Sequence, residues 1–185
     1  MSAERRAPRP RWGWHQLAET WAERLVADAG VGRGDLVLDI GAGTGALTAP
    51  LAATGARVVA VELHPDRVRA LRDRFPDPRV TVVRADVADL RLPRRPFVVV
   101  ANPPFALETA IVRRLLANGS RLRTARLVLP RHAAVRWAEQ RRHGAERWRH
   151  TFAVRVGAEL PRRAFRPAPP VSTVVLHIDR LVTEE

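Results

Sequence analysis

The residues with the most chemistry to offer are Asn102-Pro103-Pro104-Phe105, which follow directly on the apolar run Phe97-Val98-Val99-Val100-Ala101. A run that short and that rich in β-branched residues predicts a buried strand, and open α/β sheets gather their ligands beyond the C-terminal ends of the strands. The Asn102 side-chain oxygen and the Pro103 carbonyl are two acceptors, and consecutive prolines restrict the turn that aims them. An exocyclic amine presents two N–H donors to such a pair, and a flat ring carrying that amine can stack on Phe105. With both hydrogens held, the nitrogen lone pair is drawn out of conjugation toward an electrophile, and no general base is obligatory. The chemistry is N-alkylation. The competing reading is structural: a proline-stiffened turn in which Asn102 caps a helix starting near Ala106 and Phe105 enters the core.

The elements that must position these residues alternate between strand and helix. Leu36-Val37-Leu38-Asp39-Ile40 predicts a strand running into Gly41-Ala42-Gly43-Thr44-Gly45, with a helix over 46–53. Glycines here let the backbone approach a ligand closely at a helix N-terminus. Gly41-x-Gly43-x-x-Ala46 also satisfies a loose dinucleotide fingerprint, so a nicotinamide oxidoreductase accounts for the loop but leaves 102–105 without a use. A second strand over 57–61 ends in Glu62, where a carboxylate can accept from both hydroxyls of a ribose or, alternatively, cap a helix before Pro65. A third strand over 80–83 precedes Asp86, at the same edge. Asp86 can accept from an adenine amino group or cap a turn.

Leu17, Trp21, Leu25 and Val26 recur at helical spacing and predict a helix over 15–29 ending near Gly30. Further helices are expected over 65–75 and 106–117, and further strands over 125–129, 151–156 and 173–178. The fold class is α/β: a mostly parallel, seven-stranded sheet with helices on both faces, whose last two strands pair antiparallel at one edge.

Composition narrows the class of partner. The chain has 185 residues, a formal charge of +13 and no cysteine. All of its basic residues other than histidine are arginine, spread along most of its length. Such a surface favours polyanions, because guanidinium pairs with phosphate through two hydrogen bonds. The absence of cysteine excludes disulfides and thiolate metal sites, and the histidines show no metal-like spacing with carboxylates. No apolar run is long enough for a membrane span or a signal segment, so a monomeric, cytoplasmic protein without metal or membrane is expected. Residues 1–11 predict a flexible basic arm and 12–181 a single catalytic domain. The segment 131–150 mixes Arg131, Arg136, Arg141, Arg142, Arg147 and Arg149 with Trp137 and Trp148, which suits either a nucleic-acid backbone or a solvated face with two half-buried tryptophans. Phe165, among Arg162, Arg163 and Arg166, is either a second stacking wall or a hydrophobic plug.

Taken in order, Asp39-Ile40-Gly41-Ala42-Gly43-Thr44-Gly45, Glu62, Asp86 and Asn102-Pro103-Pro104-Phe105 resemble the S-adenosylmethionine-dependent N6-adenine methyltransferases of ribosomal RNA, in particular the Erm branch. Ala164-Phe165-Arg166-Pro167-x-Pro169-x-Val171-Ser172 resembles that family's late motif, in which a phenylalanine faces the target base. The resemblance spans roughly residues 13–179 and implies a Rossmann-like class I methyltransferase fold. It implies S-adenosylmethionine as cofactor, S-adenosylhomocysteine as product, and ribosomal RNA, 23S above all, as partner.

By the same resemblance, Gly41 borders the methionine part, Glu62 holds the ribose, and Asp86 holds the cofactor adenine. Asp39 and Gly43 belong to the same cofactor loop. Asn102 and Pro103 hold the target amine, Phe105 its ring, and Arg131, Arg136, Arg162, Arg163 and Arg166 the RNA. Gly13-Trp14-His15-Gln16-Leu17 matches the family's N-terminal motif at His15 and Leu17, which then border the cofactor, and departs from it at Trp14 and Gln16. Members of the Erm branch confer macrolide, lincosamide and streptogramin B resistance. The small helical C-terminal domain usual in the family is not expected in this chain. The rival readings are a protein glutamine N5-methyltransferase, since a carboxamide offers the same two donors, and a non-catalytic RNA-binding relative.

Overall fold

The computed structural model describes residues 15–139 and 148–181. In chain order the described residues form β1 (Gln16–Leu17), α1 (Glu19–Ala29), β2 (Leu36–Ile40), α2 (Thr48–Ala53), β3 (Arg57–Glu62), α3 (Pro65–Arg74), β4 (Val80–Arg84) and β5 (Phe97–Ala101). They continue with α4 (Glu108–Leu115), β6 (Leu122–Pro130), α5 (Arg131–Ala138), β7 (Phe152–Leu160), β8 (Phe165–Arg166) and β9 (Thr173–Arg180).

Seven of the strands make one sheet in the order β4-β3-β2-β5-β6-β9-β7. Its first five strands run parallel, and β9 lies antiparallel to both neighbours. The side-chain period of two sorts the strands' residues between two faces. Val37, Val98, Val100 and Val128 join Ala22, Leu25 and Leu51 of α1 and α2. Leu38, Ile40, Val99 and Leu127 join Ile111, Leu115 and Trp137 of α4 and α5. With both faces covered by helices, β5 is apolar throughout and buried at every position, as its sequence predicts.

The chain winds outward from β2 through β3 to β4, then crosses to lay β5 on the other side of β2. This reversal of strand order opens a crevice beyond the C-terminal ends of β2 and β5, the place where doubly wound sheets bind ligands. The glycine loop follows β2 and Asn102 follows β5, so topology brings the two together.

Several boundaries differ from expectation. The helix expected from residue 15 starts at Glu19, because Gln16 and Leu17 pair with Arg166 and Phe165 in a separate two-stranded sheet. The last two strands are longer than expected, and they pair antiparallel at one edge of the sheet as expected, with β9 between β6 and β7. Within the basic segment over 131–150, α5 covers Arg131–Ala138, and residues 140–147 lie outside the described residues. The arm over 1–11, Gly13, Trp14, Arg141, Arg142 and Arg147 lie outside the described residues.

Candidate active site

Gly41 has φ +79°, and a Cβ there would lie 3.1 Å from Pro104 Cδ and 3.4 Å from the Pro103 Cα. Glycine is thus required by its backbone angle and by the close seating of the two prolines against it. The Gly41 and Ala42 N–H groups donate to the Val61 carbonyl at 2.8 and 3.0 Å, tying the loop to the end of β3. Gly45 has another purpose. A Cβ there would come within 2.6 Å of the Phe75 ring, so this glycine seats the end of α3 and does not face a ligand.

Glu62 is buried at the end of β3, with Oε2 accepting from Gly43 N–H at 2.8 Å and Oε1 from the N–H groups of Leu63 and His64 at 3.0 and 2.9 Å. Of roughly four acceptor positions on a carboxylate, three are taken. One remains, on Oε2, open to a further hydroxyl donor. Asp86 caps the following turn, Oδ1 accepting from Ala88 N–H at 2.8 Å, and it also lines the cavity described below.

Asp39 is buried beneath the glycine loop and accepts from the Thr48 hydroxyl at 2.7 Å. Burial pushes its carboxyl up to about 7; the Thr48 hydrogen bond works against that rise and the Glu62 charge adds to it. Thr44 Oγ1, on the same loop, is buried without a hydrogen-bond partner.

Asn102 does not cap a helix. Its Nδ2 donates to the His15 carbonyl at 2.6 Å, which orients the amide, because a carbonyl can only accept. The Asn102 oxygen remains as the acceptor. Phe105 is partly exposed, with its ring tilted by 32° against the His15 ring at 5.7 Å between centroids. His15 Nδ1 bonds to the Pro167 carbonyl at 2.8 Å, so that nitrogen carries the hydrogen. His15 therefore joins the 102–105 turn to the late proline loop.

The sequence reading gave no part to Glu108. It is buried at the start of α4 and accepts from Trp137 Nε1 at 2.8 Å, which pins α5 to the helix that begins just after Phe105. The signal was an acid in the first helical turn after the proline turn, but its indole partner lies 29 residues on.

Two cavities meet at Gly41. The larger, about 440 Å³, runs along His15, Glu62, Asp86, Pro104, Phe105 and Pro170. The smaller, about 20 Å³, adjoins Leu17, Asp39, Thr44 and Asn102. The first has the size of a small-molecule site and offers apolar Val61, Leu63 and Val87 beside two carboxylates. The second carries the unpartnered Thr44 hydroxyl beside the buried Asp39 carboxyl. Carboxylate acceptors for hydroxyl and amine groups along an apolar slot fit a nucleoside, and the nucleoside part of S-adenosylmethionine is such a group.

The family model described as ribosomal RNA adenine dimethylase matches residues 12–184. The chain belongs to this family. It is 39% identical over 166 residues to an rRNA methyltransferase of Streptomyces thermotolerans, covering 85% of this chain and 54% of that protein. It is 36% identical over 171 residues to the ribosomal RNA small subunit methyltransferase A of Rhodococcus opacus (strain B4), covering 85% and 58%. The chain thus spans little more than half the length of these relatives. Among solved structures it superposes on the 23S rRNA methyltransferase ErmE with a TM-score of 0.77 and 26% identity, over 91% of this chain and 71% of that one. A dimethyladenosine transferase from Plasmodium falciparum, at 20% identity and a TM-score of 0.79, shares the fold.

For a member of the rRNA adenine dimethylase family, the residues expected to meet RNA are unevenly placed. Arg131, Arg163 and Arg166 are exposed, and the Arg131 N–H donates to the Ser172 carbonyl, which ties the start of α5 to the late loop. Arg162 is exposed, with its guanidinium donating to the Pro169 carbonyl at 2.6 Å. Arg136 lies 3.6 Å from Glu108, so part of its charge is already answered.

Phe165 corrects the expectation of a second stacking wall. It is 3% exposed, pairs with Leu17, and packs with Leu17, Leu160 and Ala164. Of its two readings the plug is what the fold makes, because the β1–β8 pairing turns the ring inward. Trp137 and Trp148 are likewise core residues at 2% and 6% exposure, neither half-buried nor available to bases.

Proposed function

We propose that this protein transfers methyl from S-adenosylmethionine to N6 of an adenine in ribosomal RNA, in 23S rRNA first, and so confers macrolide, lincosamide and streptogramin B resistance. The observation that carries this reading is the Asn102 amide, whose nitrogen is held by the His15 carbonyl so that its oxygen is left as an acceptor beside Pro103. S-adenosylmethionine supplies a methyl on a positively charged sulfur when bound. Glu62, Asp86 and the glycine loop hold its nucleoside, and Asp39 and Thr44 its charged end.

Asn102 Oδ1 and the Pro103 carbonyl hold the two amine hydrogens, and Phe105 stacks on the ring. Rate enhancement then comes mainly from orientation, and the surplus proton leaves the amine for water. The adenine must be unpaired or flipped to reach this crevice. The superposition on the 23S rRNA methyltransferase ErmE supports the 23S assignment. Similarity to the small subunit methyltransferase of Rhodococcus opacus favours a second reading, an adenine of 16S rRNA.

Labelled methyl transfer to protein-free 23S and 16S rRNA, assembled subunits and a protein extract, followed by nucleoside analysis, decides between them. Label in N6-methyladenosine or its dimethyl form on 23S rRNA, with raised macrolide tolerance in an expressing host, is the expected result. Label on 16S rRNA alone selects the second reading. Label only in protein overturns both.

A further inference from the structure

At the end of the sheet opposite Asn102, where β5 and β6 begin, the segment over 90–94, the end of α4 and the turn over 117–121 enclose an open cleft of about 580 Å³. Its charged lining consists of Arg91, Arg94, Arg114 and Arg121, with no carboxylate. Arg114 donates to the Leu90 carbonyl at 2.6 Å and to the Ala88 carbonyl, contacts that set the wall of the cleft and leave the positive charge unneutralised. Arg91, Arg94 and Arg121 are exposed, and among the described residues none of them forms an ion pair. Other arginines of the same surface do: Arg79 pairs with Asp77 and Arg123 with Asp35. Asp89, the nearest acid in sequence, is not part of the lining.

Four guanidinium groups around one depression repel one another unless an anion sits between them, and their planar forks match phosphate oxygens two at a time. The cleft is also connected to the candidate active site. α4 starts at Glu108, just past Phe105, and its eight residues end at the cleft, about 12 Å away at 1.5 Å per residue. Arg114 holds the segment that leads out of Asp86.

We propose that this cleft binds the phosphodiester backbone of the RNA substrate at a second place, remote from the target base. The inference rests on the RNA-methylating reading above. An RNA long enough to pass from the crevice round the end of α4 engages it, whereas a hairpin trimmed to the target does not.

The test compares the wild type with Arg91→Gln/Arg94→Gln/Arg121→Gln and with a control of equal charge loss, Arg24→Gln/Arg57→Gln/Arg69→Gln. Each is measured on a long rRNA transcript and on the shortest hairpin cut from it that still accepts methyl. The cleft variant is expected to bind the long transcript about tenfold more weakly and to lower the slope of log Kd against log salt by about 2, since each lost phosphate contact removes about 0.7–0.9. On the hairpin, kcat and KM stay at the wild-type values, and the control stays near wild type on both RNAs. Wild-type affinity and slope in the cleft variant, the same loss in the control, or an equal loss on the hairpin overturns the proposal. If the wild type methylates no RNA, the functional reading fails instead, and filter binding of the long transcript still decides the cleft.

Discussion

The side-chain nitrogen of Asn102 donates to the main-chain carbonyl of His15 at 2.6 Å, joining residues 87 positions apart. This one contact leaves Asn102 Oδ1 as an acceptor and places the N-terminal strand over the proline turn. Asn102→Ala removes the acceptor and is expected to lower methyl transfer by at least about 100-fold, a loss of orientation, while S-adenosylmethionine binding changes little. Asn102→Asp keeps the shape but sets two acceptors face to face at the His15 carbonyl, and should be as inactive. Calorimetric binding beside single-turnover transfer checks both; a parallel loss of cofactor affinity would contradict the role given to Asn102.

Asp39 makes stability depend on pH. Between its ordinary value of 3.8 and about 7 the folded protein keeps a proton that the unfolded chain has released. Stability from this group is therefore highest below 3.8, falls as pH rises through that window, and is lowest above it. Asp39→Asn still accepts from Thr48 and abolishes the titration. Its gain in stability over the wild type should vanish near pH 3.8 and reach up to roughly 4 kcal/mol at pH 8. Urea unfolding at pH 4, 6 and 8 reads this directly; a pH-independent difference would refute the assignment.

Phe165 is a core residue, so its loss should be felt without RNA. Phe165→Ala is expected to cost about 3–5 kcal/mol in unfolding free energy, from lost transfer energy plus the cavity left behind. Were the ring instead an exposed stacking wall, the cofactor-free protein would unfold as before and only base binding would weaken, by about 1–3 kcal/mol. Thermal unfolding of the free protein separates the two.

Gly157 is set by a histidine on the adjacent strand. A Cβ at 157 would come within 2.1 Å of His177 Nε2, and that ring is buried against Asp28 at 3.4 Å. Gly157→Ala should destabilise by about 1–3 kcal/mol through overpacking. Combined with His177→Ala, which removes the nearest atoms and leaves the Val175 carbonyl at 3.1 Å, the glycine substitution should cost less than it does alone. A double-mutant cycle in denaturant measures the coupling, and strict additivity would count against the contact.

What the sequence determined by itself was everything local to a strand and the turn that leaves it. β5 is buried along its whole length and ends in Asn102, and β2 ends in the glycine loop, because apolar runs and glycines act within a few residues. The alternation of strand and helix was enough for the parallel sheet. The tertiary structure alone decided what depends on partners distant in the chain. Leu17 pairs with Phe165, which shortened the expected first helix and turned the phenylalanine from a stacking wall into a plug. Glu108 gains its role from an indole on α5, and the free positions on Glu62 are limited by the Gly43 N–H. Burial and hydrogen bonding are properties of surroundings, and those surroundings exist only once β9 lies between β6 and β7 and β1 pairs with β8.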